Sequence, residues 1–167
     1  MGKSLSFRNL WRVFLARREA VRRLRPFVDR ATLESGTCNE SRWLSPYVLG
    51  YVTTAITIVA RGSVAALEDE ALGLVQIEAW EQLTGLDGAR AGERMLSFSL
   101  GNDSGFVQGC SDGLAFGHLL MGRSPTIGAD LNHSATAPVD VAIASYEQAV
   151  SLQDVWAQGV GARLLGT

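Results

Sequence analysis

Five glycines stand at four-residue intervals in this chain: Gly101, Gly105, Gly109, Gly113 and Gly117. Residues four apart share one face of an α-helix. Each glycine inside a helix costs about 1 kcal/mol against alanine, so a helix carrying several needs a compensating gain. The usual gain is close backbone approach by a neighbouring helix. Each four-residue step also advances about 40° round the helix, so one straight partner follows about three of the five. The stretch Gly101-Asn102-Asp103-Ser104-Gly105 reads as a turn. Asp103 or Ser104 then caps a helix from residue 105 to 122, with Phe106, Cys110, Leu114 and Met121 on its apolar side. Gly105, Gly109, Gly113 and Gly117 are therefore read as helix-packing residues. Their partner is another helix of this chain or a second copy of it.

The second constraint is the placement of charge. The chain of 167 residues has a net charge of only −2, yet residues 1–30 hold nine basic side chains and two acidic ones. The remainder is strongly acidic. Such asymmetry suggests an interaction segment. Residues 5–25 have helical periodicity: Phe7, Leu10, Trp11, Phe14, Val21, Leu24 and Val28 recur along one side, and Arg8, Arg12, Arg22, Arg23 and Arg30 along the other. Residues 1–34 are read as a basic amphipathic helical arm that projects from a bundle. Pro26 kinks it or opens a second short helix. Trp11, Phe14, Arg12, Arg22 and Arg23 are its expected partner contacts. An anionic membrane surface or an acidic protein suits such an arm. Nucleic acid does not, because the acidic remainder would repel the phosphates and no DNA- or RNA-binding signature is present.

Residues 43–167 are expected to form the core of the bundle. Residues 43–60 carry no charge, and 18 residues reach the lower edge of a membrane span, about 17–25 residues. Ser45, Pro46, Thr53, Thr54 and Thr57 dilute that stretch. A central core helix opening at Ser45-Pro46 is favoured over a span or a β-branched strand. Residues 64–83 form a helix with acidic residues in its early turns. A shorter helix follows over residues 89–100, then the glycine helix, a long loop over residues 122–137, and a last helix from Pro138 to about Leu165. Together these elements predict an all-α, single-domain bundle of about five or six helices.

Catalytic patterns are sparse. Gly109-Cys110-Ser111-Asp112-Gly113 matches G-x-S-x-G, and Ser111, Asp130 and His133 follow in an order that imitates a triad. A nucleophile elbow needs a strand before it and a helix after it, and Gly105-Phe106-Val107-Gln108 is no convincing strand. A hydrolase-like enzyme using Ser111 with His118 or His133 is the alternative reading. His118, His133, Cys38 and Cys110 have no metal-ligand spacing, and no glycine-rich nucleotide cradle occurs, so neither metal nor cofactor is expected. The N-terminus lacks an apolar leader, which favours a reduced cytoplasm. Lys3 is the only lysine beside fourteen arginines, a bias typical of GC-rich bacterial genes. The expectation is a non-enzymatic interaction or scaffold protein, self-associating through the glycine helix and presenting its basic helix to a membrane surface or another protein.

Overall fold

The computed structural model describes residues 7–35, 39–122 and 152–165. It is all-α, and no strand occurs among those residues. The elements are α1 (Phe7–Ser35), α2 (Glu40–Trp43), α3 (Pro46–Ser63), α4 (Asp69–Thr84), α5 (Gly88–Leu100), α6 (Ser104–Leu120) and α7 (residues 152–165). Helix α7 contains a π-helical turn, Ala157–Gly161. The long loop and most of the last helix expected from the sequence, including Val139, Ile143, Tyr146 and Val150, lie outside the described residues, as does Cys38.

Helix α3 is the centre of the bundle. Val48, Leu49, Val52, Ala55, Ile56, Val59 and Ala60 are fully buried on one side of the helix, and Tyr47, Gly50 and Tyr51 are buried on the other. A helix apolar all round must be enclosed by protein or lipid. Here the enclosure is α1, α4, α5 and α6, and no helix among the described residues is long and apolar enough to cross a membrane. Burial among neighbours also overrides the weak helix propensity of its valines, isoleucines and threonines. Thr53 is the buried polar residue of this core, and its hydroxyl donates to the Leu49 carbonyl at 2.6 Å.

Sequence punctuation sets most helix ends. Pro46 stands at the first position of α3, where a missing N–H costs nothing. The side chain of Asp87 accepts from the amides of Ala89 and Arg90, and that of Asp103 from the amide of Phe106 at 3.0 Å, so Asp103 and not Ser104 caps α6. Gly62-Ser63 does not end α3 before them: the Ser63 hydroxyl donates within the helix to Val59. Helix α4 accordingly starts at Asp69 rather than residue 64, with Asp69 and Glu70 at its positive end. Pro26 lies inside α1, which continues through it to Ser35.

Helices α1 and α4 run parallel. Asn9 reaches Glu68, Arg17 reaches Glu78, and Arg25 reaches the Gln82 carbonyl. Helix α1 buries Val13, Ala16, Ala20, Leu24, Phe27, Val28 and Ala31. The first helix is therefore a wall of the bundle and not a projecting arm. The small Ala16 and Ala20, which count little in a hydrophobic pattern, let it seat closely.

Helices α3 and α6 form the most extensive helix pair. They too run parallel, because Gly109 abuts Tyr47, Gly113 abuts Tyr51 and Gly117 abuts Ile58. A Cβ built on Gly109 would overlap the Tyr47 carbonyl, and one on Gly113 the Tyr51 carbonyl. Gly50 on α3 answers the stripe, where a Cβ would lie 2.5 Å from the Phe106 carbonyl oxygen. The glycine face of α6 is thus filled by α3 of the same chain. Gly101 ends α5, and Gly105 lies in the first turn of α6 beside Pro46. With the glycines turned inward, Leu114 stays exposed, contrary to its expected place on the apolar side.

Four rings from four helices close the core. Phe27 of α1, Tyr51 of α3, Phe116 of α6 and Trp156 of α7 pack with centroids 5.3 Å (Phe27–Phe116) to 5.8 Å (Phe27–Trp156) apart. Such contacts add about 0.5–1.5 kcal/mol per pair beyond area burial.

Candidate functional site

The outer face of α1 carries the most concentrated exposed apolar surface in the described residues. Leu10 is 51% exposed, Trp11 57%, Phe14 40% and Leu15 36%. Trp11 and Phe14 are two of the expected partner contacts, and Leu10 belongs to the same apolar side. Their outward placement follows from helical geometry. Val13, Ala16, Ala20, Leu24 and Phe27 define the buried line, and at 100° per residue Trp11 and Leu15 fall on the far side of the helix from it. Trp11 stacks on Phe14 with centroids 5.6 Å apart, and the Arg17 guanidinium lies 5.4 Å from the Phe14 ring centre. The two rings are therefore held as one platform rather than free in solvent.

The arginines divide into two sets. One set ties α1 to the bundle. Arg17 pairs with Glu78 at 2.5 Å, Arg25 donates to the Gln82 carbonyl at 2.7 Å, and Arg23 donates to the Leu120 carbonyl at 2.7 Å. Arg12 approaches the Ala66 carbonyl at 3.5 Å. The other set faces outward next to the platform. Arg18 is exposed and has no partner among the described residues. Arg22 is exposed and holds Glu19 by two hydrogen bonds, 2.9 and 2.6 Å. Those bonds, with that from Arg23, pull the Glu19 carboxyl down to about 2 from its ordinary 4.5. Glu19 thus stays ionised and neutralises part of the Arg22–Arg23 charge. Of the five expected contact residues, Trp11, Phe14 and Arg22 present their side chains outward, while Arg12 and Arg23 are engaged with the fold. Leu15 and Arg18 share the face and were missed, although their spacing from Trp11, four and seven residues, is the signal that finds them.

Of the residues of the hydrolase alternative, Ser111 and His118 do not come together. Ser111 lies in the middle of α6, with no strand and no sharp turn to thrust it forward, so the elbow is absent. His118 is on the same helix two turns on, which separates the two backbones by about 10 Å, beyond hydrogen-bond reach. Asp112 is occupied otherwise: it accepts from the Tyr47 hydroxyl at 2.7 Å and from Gln108 at 2.9 Å. Asp130 and His133 lie outside the described residues. Cys110 is a free, half-buried thiol. No cluster of three metal-ligating side chains forms among the described residues.

The chain matches no protein-family model, no curated protein and no solved structure.

Proposed function

We propose that this protein is a non-enzymatic peripheral membrane-binding module that seats the outer face of α1 on an anionic lipid surface. The observation that carries the reading is the exposed Trp11–Phe14 platform, continuous with Leu10 and Leu15 and followed by the outward Arg18 and Arg22. Aromatic rings with basic side chains beside them suit the headgroup boundary, where rings enter the apolar edge and guanidiniums meet phosphates. Each basic residue near an anionic surface contributes about 1 kcal/mol, and each large apolar side chain buried about 1.5–3 kcal/mol. Three or four such groups give reversible association, in keeping with a folded helix that stays part of the bundle.

The test is co-sedimentation of the full chain with vesicles of phosphatidylserine and phosphatidylcholine, against phosphatidylcholine alone, at low and high salt. Trp11 supplies a second readout. Trp43, Trp80 and Trp156 are only 1–3% exposed, so acrylamide quenching reports mainly on Trp11. Binding to the anionic vesicles should protect Trp11 from the quencher, weaken with salt, and fall by about tenfold or more in Trp11→Ala and Phe14→Ala. Absence of binding by the intact chain refutes the reading. Binding that ignores both substitutions also refutes it. An unbound but well-folded chain would redirect the same face to an acidic protein surface.

A further inference from the structure

A second surface, at the other end of the bundle, has a different chemistry. A cleft of about 540 Å³ opens where α2, the start of α3, the start of α6 and α7 meet. Ser41, Arg42, Ser45, Tyr47, Gly105 and Arg163 line it. Two arginines face this space, and no carboxylate is among its described lining residues. That separates it from the two neighbouring depressions. In one, Glu40 pairs with Arg90, and in the other Arg30 pairs with Glu34. Those two arginines already have anionic partners.

Both guanidiniums are held in place by the fold. The Arg163 guanidinium carbon sits over the Tyr47 ring, 3.4 Å from its centre, and the side chain donates to the Gly159 carbonyl at 2.8 Å. Arg42 donates to the Leu164 carbonyl. Each guanidinium has five N–H donors, and these bonds use one apiece. The remaining donors are pre-organised, which lowers the ordering cost of binding. The parallel packing of α3 and α6 brings the N-terminal ends of both helices to this end of the bundle, but the Asp103 carboxylate already caps α6, so the attraction for an anion rests on the two guanidiniums. The side chain of Ser45 does not cap α3: its hydroxyl donates to the Arg42 carbonyl at 2.7 Å.

We infer that this cleft binds a small anion bearing a phosphate group, held between Arg42 and Arg163. A phosphate could come from a soluble molecule or from a lipid headgroup. Asn9 and Arg12 of α1 reach Glu68 and Ala66, beyond the C-terminal end of α3, whereas the cleft lies at its N-terminal end, an 18-residue helix or about 27 Å away. The two surfaces are therefore separate, and the experiment distinguishes the two sources.

The experiment is calorimetric titration of the full chain with inorganic phosphate and with pyrophosphate at constant ionic strength. Saturable binding is expected, weakened about tenfold or more in Arg42→Gln and in Arg163→Gln, and unchanged in Arg18→Gln. Ser41→Glu places a carboxylate on the exposed wall of the cleft and should abolish binding. It keeps the proposal testable if removing an arginine unfolds the protein. No saturable uptake by the unaltered chain up to about 10 mM of either anion, a concentration at which a site of millimolar affinity is mostly filled, overturns the inference. So does binding that survives Ser41→Glu and both arginine substitutions. Vesicle co-sedimentation of the same variants identifies the source. Unaltered vesicle binding assigns the cleft to a soluble anion, and vesicle binding lost together with phosphate binding assigns it to a headgroup. Trp11→Ala should leave the phosphate titration intact, so failure of either surface is read separately.

Discussion

Two glycine-to-alanine substitutions should move stability in opposite directions. Gly73 lies in α4, and a Cβ there meets nothing within 4 Å. Alanine at that position gains only helix propensity, about 1 kcal/mol. Gly113 lies in α6, and its Cβ would overlap the Tyr51 carbonyl oxygen and stand 2.8 Å from the Tyr51 Cα. Backbone atoms of a buried helix cannot rotate aside as a side-chain tip does. The two helices must separate, and the contacts at Gly50, Gly109 and Gly117 loosen together. Overpacking of this kind costs about 3 kcal/mol at the upper end of the usual range. Less the propensity gain, Gly113→Ala should lose about 2 kcal/mol. For a chain of this size that is a fall in Tm of about 4–8 °C, whereas Gly73→Ala should rise by about 2–4 °C. Urea and thermal unfolding followed by circular dichroism measure both. Gly113→Ala at or above the parent stability would refute the reasoning, because it would place Gly113 on an open face.

Further outcomes follow from the charged and phenolic groups. The carboxyl of Glu19 is held near 2, first by its hydrogen bond from Arg22, so its contribution is present above pH 4.5 and lost as pH falls toward 2. Glu19→Gln should flatten the urea midpoint across that window, by well under 1 kcal/mol after solvent screening. Burial, then the hydrogen bond to Asp112, raises the Tyr47 phenol to about 12. The folded state therefore favours the neutral phenol: this stabilisation is complete below pH 10 and lost as pH rises toward 12. Tyrosine absorbance at high pH should show Tyr47 ionising earlier in Asp112→Asn. Phe116→Ala, at the centre of the four-ring cluster, should cost about 3–5 kcal/mol, read by the same urea titration.

Periodicity alone is sufficient for the fold class. The start of α3 at Pro46, the Asp103 cap and the amphipathic character of α1 rest on local chemistry, and local chemistry is visible in order along the chain. The close contact of the glycine stripe was also legible, because glycine at helical spacing has few other physical reasons. Its partner was not. Gly50 is a single glycine in a run of β-branched residues, and nothing nearby marks it as the complement of Gly109 and Gly113. The seating of α1 was misread for a related reason. Its large apolar residues and its charge suggested a projecting arm with Trp11 and Phe14 as contacts, but Ala16 and Ala20, which carry little hydrophobic signal, help set a buried line that makes α1 a wall of the bundle.

From residue order alone came the helices, the charge imbalance and the need for a tight helix contact, since these depend on neighbours three and four residues away. Only the tertiary structure decided that the contact closes within one chain, that Trp11 and Phe14 face outward, and that Arg42 and Arg163 share a cleft across more than a hundred residues. Those outcomes depend on which helix reaches which neighbour, and that is settled by packing the whole core at once.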